Sequence, residues 1–512
     1  MNSFFGLNVA VKGLYASQAA LYTIDHNISN AETSGYSRQV TSQKASAPLS
    51  TYTGSGMIGT GVDFISVQRV RDEYLDMRFW NQNISYGEWN AKSEALSELE
   101  AIMNETSEDG LNEVLSSFSS ALEELAKDPD SEQTRAVVVQ NGDYLCKYLN
   151  NAASNLILLK KDYNSNIKVK VNEINSYASQ IRDLNEQIYK SELDGSSAND
   201  LRDQRDLLMD KLTCLADVRI NEVDAGTLAN GKDDIRLQIT LDGVSLVNHF
   251  QVNELECYTI DEGSEQDGTY GIRWMKTGNE VEFDSGEIKG YLDMRDGTGE
   301  KGGYKGIPYY MEQLDHFAGV FAKAFNEGIY ADGTQYIQGH AGGADSDETT
   351  GIRFFTFDGK SSDELMKSGS DMNEIYQNVT AANITISSDI EDDPGKIAAA
   401  SLSGEDGNNE NINELVNMFN DSRMFADGMP VDYINSIVST MGTSAAHASR
   451  LASNYESTLN QIDTGRISVS GVSLDEESAN LVRYQQAYSA AAKMISVLDE
   501  ILDITINGLG AG

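Results

Sequence analysis

Both ends of this 512-residue chain carry the same seven-residue apolar ladder, and the whole middle of the sequence lies between them. Near the N-terminus the rungs are Leu7, Leu14, Leu21 and Ile28, with Ala10, Val11 and Ile24 on the same stripe. Toward the C-terminus they are Leu474, Leu481, Tyr488, Ile495 and Leu502, with Tyr484, Ala491 and Leu498 between them. Apolar residues recurring about every 3.5 positions keep one narrow helix face turned toward another helix. A helix of this kind is marginal alone in water, so each end needs a helical partner.

Charge separates the ends from the middle. The chain carries a formal net charge of −42. Residues 1–70 set Lys12, Arg38, Lys44 and Arg69 against Asp25, Glu32 and Asp63, a net of +1, and residues 466–512 amount to −3, leaving −40 on the middle. An acidic body of this kind repels nucleic acid and anionic membrane, so neither is expected as a partner. The near-neutral ends suit close packing. The start, MNSFFGLNVAVKGLY, lacks a basic segment followed by an unbroken apolar core, and no run of about eighteen apolar residues occurs, so neither a Sec signal nor a membrane span is expected. Cys146, Cys214 and Cys257 are odd in number and without metal-ligand or redox spacing.

Periodicity divides the chain. Helix is expected over 4–30, followed by an extended loop in which Gly54 to Gly61 repeatedly break the chain. From 71 to 215 the spacing is helical; its clearest piece steps from Leu149 through Leu156, Tyr163, Ile167, Val171, Ile174, Ile181 and Ile188, a rod over 141–193. Gly195, Ser196 and Ser197 end it, Asn199 or Asp200 is expected to cap the next helix, and Leu201, Leu208, Leu212 and Leu215 give that helix a face. After 216 the period becomes 2. Ile235 to Leu241 alternate, Asp242-Gly243 turns, and Val244 and Leu246 return; Tyr270, Ile272 and Trp274 alternate before a Gly278-Asn279 turn and a return through Val281 and Phe283. This predicts an antiparallel β domain over 216–305. A helix over 306–330 follows, through Tyr310, Leu314, Phe317, Phe321 and Phe325 with Gly328 as C-cap, then a small mixed insert over 331–405, a second helical stretch over 406–465, and the terminal helix in 466–512. The fold class is α+β and multidomain, with coiled-coil ends, a long-helix bundle stalk and inserted antiparallel β domains. Because the helices are split between the ends, the termini are expected side by side.

Catalytic patterns are wanting. GSGMIG at 54 and GTGEKG at 297 satisfy G-x-G-x-x-G, yet neither sits between a strand and a helix of a βαβ unit, and chance matches are expected among 44 glycines. The five histidines, His26, His249, His316, His340 and His447, are scattered, and the Asp- and Gly-rich segments 261–268 and 331–350 lack the spacing of a calcium loop. No enzyme activity, metal or cofactor is expected.

NISNAETSGYSRQ at 27–39 is similar to the N-terminal signature of the axial proteins of the bacterial flagellum, the rod, hook and hook-associated proteins, and its Gly-Tyr-Ser-Arg-Gln ending resembles the hook-associated members in particular. GSGMIGTGVDFISVQRVRDEYL at 54–75, ANITISSDIEDDPGKIAAAS at 382–401 and SGVSLDEESANLVRYQQAYSAAAKMI at 470–495 resemble the same members. The resemblance implies a non-catalytic subunit joining hook to filament, exported through the flagellar type III channel without a cleaved signal and located outside the cell. Implied partners are copies of itself in a ring or helical assembly, the hook protein, a second junction protein, and an export chaperone gripping the C-terminal helix. It implies that the two ladders form the assembly interface and that Asn27, Asn30, Gly35, Tyr36 and Arg38 join it: Asn27, Asn30 and Gly35 as turn formers, Gly35 with positive φ, Tyr36 as a buried anchor and Arg38 as a contact to a neighbouring subunit. Another axial part, hook or distal rod protein, and more remotely a secreted enzyme carrying rod-type export ends, are the alternatives.

Overall fold

The computed structural model describes residues 3–50, 56–103, 110–227, 233–260, 268–331, 334–401 and 407–508. Gly54, most of the 261–268 segment and part of 331–350 lie outside them. Helix α1 spans Ser3–Ser29. The chain then forms an antiparallel ribbon, β1 (Gln39–Ala45) paired with β4 (Val62–Arg69), with a short second pair, β2 (Leu49–Ser50) on β3 (Met57–Ile58), toward its tip. An extended loop was expected there; the extended backbone is instead paired, because Gln39 and Arg69 bring both ends of the segment into register. The ribbon lies along α1: Gln43 Nε2 donates to the Ala16 carbonyl, and Lys12 Nζ donates to Asp63 at 2.8 Å and to Ser46 at 3.0 Å.

The body begins with α2 (Glu73–Met103) and α3 (Leu111–Lys127), followed by α4 (Glu132–Glu192), 61 residues and about 90 Å long at 1.5 Å per residue. Ser131 caps α4 by accepting from the Thr134 amide. Helix α5 (Asn199–Leu215) is not capped by Asn199 or Asp200, contrary to expectation: Ala198 holds the cap position. Both side chains are drawn away to the ribbon, Asn199 Nδ2 donating to Gln39 Oε1 and the Val67 carbonyl, and Asp200 accepting from Gln39 Nε2. Gly87 of α2 lets the helices cross closely, since a Cβ there would stand 2.0 Å from the Cys214 carbonyl oxygen of α5.

A four-stranded antiparallel sheet follows in the order β5 (Arg219–Thr227), β6 (Asp233–Leu241), β7 (Val244–Asn248), β8 (Gln251–Val252). Asp242 and Gly243, both at positive φ, make the β6–β7 turn, as their sequence predicts. Strand β9 (Leu255–Thr259) pairs with β10 (Tyr270–Trp274). The expected return after the Gly278-Asn279 turn forms only the isolated bridge Arg273–Glu280, and the chain then enters helix α6 (Glu287–Asp296). Helix α7 (Ile307–Glu327) ends at Gly328, φ 99°. Then come the hairpin β11 (Gly328–Ala331) and β12 (Thr334–Gln338), and the pair β13 (Phe355–Phe357) and β14 (Ile384–Ile386). Short helices α8 (Ser362–Met366), α9 (Met372–Gln377) and α10 (Ser388–Asp392) surround that pair, followed by α11 (Glu410–Met418), α12 (Pro430–Ser470) and α13 (Leu474–Asp503).

Two apolar cores share α4. The larger gathers Leu145, Leu149 and Leu156 of α4 with α3, α7, α11 and the 331–405 segment, whose Phe354 and Phe355 complete an aromatic cluster around Phe118, Phe321 and Phe325. The smaller sets Ile167, Val171, Ile174 and Ile181 of the same helix against α5 and the sheet residues Leu237, Ile239 and Leu246. Helix α12 returns along α2 and turns at Gly471 into α13, which runs antiparallel to α1: Gly6 faces Leu498 at one end and Asn27 reaches Glu477 at the other.

Candidate assembly interface

The ladders meet, but they do not make a buried seam within one chain. Leu7, Val11, Leu14, Leu21 and Ile28 are half-buried, as are Tyr484, Ile495, Leu498 and Leu502, while Leu474, Leu481 and Tyr488 are exposed. The stripe that α1 buries fully is a smaller one, Ala16, Ala20 and Ile24, closed off partly by the ribbon. Small side chains allow the strands to approach α1, and the larger rungs are left at the edge of the α1–α13 contact.

At the other end of the pair, polar side chains take over. Asn27, buried at the last turn of α1, donates from Nδ2 to the Gln39 carbonyl at 2.8 Å, and its Oδ1 accepts from the Gln39 amide at 2.9 Å and the Tyr36 hydroxyl at 2.8 Å. A two-way amide bond of this kind pins the loop to the helix that it leaves. Asn30 bonds back to the His26 carbonyl, and Gly35, at φ 79°, packs its Cα side 3.3 Å from Leu207 Cβ by the position a Cβ would take, so a larger residue there is both strained and crowded. Tyr36 is half-buried rather than enclosed, and burial together with Asp200, Asp203 and Glu477 pushes its hydroxyl well above the usual phenol range. Arg38 turns inward in the single chain: Nε meets Glu477 at 2.8 Å, Nη1 meets Glu476 at 2.9 Å, and its amide donates to the Ser470 carbonyl at 2.8 Å. Glu477 is 2% exposed and is the one fully buried side chain of α13 among those described.

Below this knot lies a charged hub that periodicity did not reveal. Arg69 at the end of β4 bonds Asp203 at 2.7 Å and Asp206 at 2.8 Å, and Arg71 makes a two-pronged contact with Asp76, Nε at 2.7 Å and Nη2 at 3.0 Å. Arg466 of α12 reaches Asp76 at 2.8 Å and Asp210 at 3.0 Å while lying over the Phe79 ring. Asp203 also accepts from the Ser37 amide at 2.8 Å. Burial raises the Asp203 and Asp210 carboxyls above their ordinary value. Burial acts the same way on Asp206, but Arg71, Arg69 and Arg205 outweigh it and hold that carboxyl below. Thus the ribbon, α2, α5 and α12 converge on one network, beside the Arg38–Glu477 contact that joins α13 to the loop. The sequence signal was the spacing of Asp203, Asp206 and Asp210 at three to four residues, which reads alone as a solvated helix face.

His340 is buried with both ring nitrogens engaged, by the Ile352 carbonyl and the Ala398 amide. The three cysteines are free thiols, and burial pushes the Cys214 thiol up to about 12. Among the described residues no three His, Cys, Asp or Glu side chains converge to hold a metal, and no helix is long and apolar enough to cross a membrane.

Comparison with known proteins agrees with an axial architecture. Residues 96–355 match the flagellar hook-associated protein FlgK helical domain, and residues 463–508 match the flagellar basal body rod FlgEFG protein C-terminal domain. The chain is 33% identical to the flagellar hook-associated protein 1 of Bacillus subtilis, over 100% of this chain and 99% of that one, and 25% identical to that of Salmonella typhimurium, over 98% and 99%. The flagellar hook junction protein FlgK from Burkholderia pseudomallei shares the fold, with a TM-score of 0.54 over 77% of this chain and 100% of that one, at 14% identity. These matches define a structural protein of the bacterial flagellum. Within that class, the chain belongs to the family of flagellar hook-associated protein 1. The full-length match includes the 216–305 and 331–380 stretches, which the motif resemblance did not cover.

Proposed function

We propose that this chain is the subunit that joins hook to filament, and that it assembles by laying its α1–α13 pair against the pairs of neighbouring copies. One observation carries this: the body closes two apolar cores, whereas of the terminal ladders only Ile24 is buried and every other rung stays half-buried or exposed in the single chain. A contact between unlike patches whose rotation does not close on itself generates a tube or helix, so one pair of complementary faces is sufficient to build a junction. In this reading residues 1–70 and 466–512 form the tube, the stretches 71–215, 306–330 and 406–465 form the stalk, and the 216–305 and 331–405 segments face outward. The assembly interface comprises both ladders, with the Asn27–Arg38 knot setting the angle at which the pair leaves the body.

The hook protein on one side and a second junction protein on the other are the neighbours, and an export chaperone covers α13 before assembly. The subunit passes the flagellar type III channel unfolded and acts outside the cell, without catalysis. Segments 1–35 and 468–507 order on assembly, which suits narrow-striped helices that are marginal alone.

Deleting the gene and viewing the cells tests the role: hooks without filaments, with flagellin shed to the medium, are expected, and intact filaments would overturn it. Leu14→Glu combined with Ile495→Glu tests the interface. Swimming is expected to be abolished while the body unfolds at an unchanged urea midpoint; restored swimming would overturn the ladders as the assembly interface. Circular dichroism of the monomer, against a chain trimmed at both ends, tests ordering. A loss of helical signal equal to two complete helices defeats it.

A further inference from the structure

Where α2 meets α6, one lysine stands between two carboxylates inside the body. Lys92 Nζ lies 2.6 Å from Glu88 Oε1, one turn back on α2, and 2.6 Å from Asp293 Oδ2 on α6. The three side chains are 4%, 14% and 16% exposed in that order. The rings of Trp89 and Tyr304 flank the amine, their centroids 4.8 Å and 4.4 Å from Nζ, and take the place of water around it. Gly290 permits the approach. A Cβ there would stand 2.8 Å from the Glu88 carbonyl oxygen and 2.8 Å from Ala91 Cβ, so a side chain at this position would force α6, and Asp293 with it, away from Lys92.

The second oxygen of each carboxylate is held too. Ser285 Oγ donates to Glu88 Oε2 at 2.7 Å, and Lys289 Nζ stands 2.9 Å from Asp293 Oδ1. Each carboxylate is therefore oriented by one neighbour and presents its other oxygen to Lys92. An ion pair kept from water carries a desolvation cost that a neutral group in the same place does not. A side-chain amide between Lys92 and Asp293 removes both charges and leaves Glu88 with Ser285. Holding the two reactants in contact also removes the entropic part of the barrier to joining them.

We propose that the folded body closes this contact covalently, Lys92 Nζ and Asp293 Cγ forming an isopeptide bond with Glu88 as proton carrier. Glu88 takes a proton from the ammonium, the freed amine attacks Cγ, and the Cγ–Oδ2 bond breaks. Nζ gives up two of its three hydrogens, both pass to Oδ2 through Glu88, and one water leaves. Glu88 ends ionised, as it began. Lys289, on Oδ1, offsets the negative charge that develops there as Nζ adds. The step needs no oxidant and no second protein, so the bond can form wherever the chain folds. It closes a loop containing α3, α4, α5 and the four-stranded sheet, in a chain whose three cysteines are free thiols. The inference stands apart from the assembly role.

The test is tryptic digestion of the full-length chain, folded and then denatured, followed by mass spectrometry. The expected product is a branched peptide joining residues 79–127, uncut at Lys92, to residues 290–295, one water lighter than the two together. Branching is the criterion, because an imide at an Asp-Gly step also loses water yet joins no second peptide. Recovery of the 290–295 peptide free, with no branched product, overturns the proposal. Glu88→Gln keeps an acceptor for Lys92 and cannot carry the proton. It is expected to release the free peptide from a chain with unchanged circular dichroism, and branching at the natural yield would overturn the part given to Glu88. Lys92→Arg keeps the charge without a primary amine. On a denaturing, reducing gel this variant is expected to migrate apart from the natural chain, whose loop stays closed, and comigration of the two overturns the bond.

Discussion

The body and the terminal pair of this molecule are built from the same kind of helix and bury their apolar side chains to very different depths. In the body, Phe321 is fully enclosed by Phe317, Phe325, Phe355 and Phe419. In the terminal pair, Leu14, Leu21 and Ile28 remain half-buried, and α13 submerges only a carboxylate. The body buries its apolar side chains within the single chain; the pair leaves most of its ladder residues half-buried or exposed. Helical content alone does not distinguish them. Depth of burial does.

The most damaging way to probe the contrast is Phe321→Ala. Removing a fully buried phenylalanine leaves a cavity worth about 3–5 kcal/mol, and urea unfolding followed by tryptophan fluorescence is expected to show a loss of this size. Amide exchange in α1 and α13, measured in assembled junctions where these segments are ordered, is expected to remain unchanged. If those helices lose protection with the core, the two regions form one cooperative unit and the contrast fails.

A smaller effect is expected at the joint. Glu477→Ala leaves Arg38 without one of its two carboxylate contacts and Asn27 without one partner, a loss on the order of 2 kcal/mol confined to the seating of α13. The expected signature is faster amide exchange in residues 474–484 of assembled junctions, with an unchanged urea midpoint of the body in the single chain. Glu477→Gln, whose single amide oxygen keeps one of the two acceptances and which loses the charge, is expected to recover part of the protection. A midpoint that falls with Glu477→Ala would mean that the body, too, depends on the joint.

The depth difference was partly legible in the sequence. The two ladders, the α7 phenylalanines, the Asp242-Gly243 turn and the long helix of Leu149 to Ile188 follow from spacing, because each is decided by residues near one another along the chain. The ribbon and the hub were not legible. Asp203, Asp206 and Asp210 read as a solvated stripe because the arginines that neutralise them stand far off, Arg69 134 residues from Asp203 and Arg466 256 residues from Asp210. Likewise, Asn199 has the composition of a helix cap, and only the ribbon's arrival diverts it to Gln39 and Val67. Among the axial residues, Asn27 and Arg38 lie within the motif that carried the resemblance, but their partner Glu477 is 450 and 439 residues away, and no periodicity relates them.

The finest distinction between the regions is how each treats a carboxylate. At the joint, Glu477 is satisfied by Arg38 and Asn27. In the body, Asp217, just beyond α5, has one oxygen without a hydrogen-bond partner and is raised to about 6, chiefly by burial, with Asp284 and Asp242 adding to it. A carboxyl whose folded value lies above its unfolded one takes up a proton first in the folded state, so acidification favours folding. The penalty is fully present above pH 6 and is relieved as the pH falls from about 6 toward about 4, the unfolded value. Since the group is only half-buried, solvent screening reduces the expected gain to roughly 1 kcal/mol. Urea midpoints measured at pH 7 and pH 5 are therefore expected to rise on acidification in the natural chain and to rise less in Asp217→Asn. Equal rises in both would move the source of the pH effect elsewhere, and the hub carboxyls Asp203 and Asp210, raised by burial in the same direction, would be the next to replace.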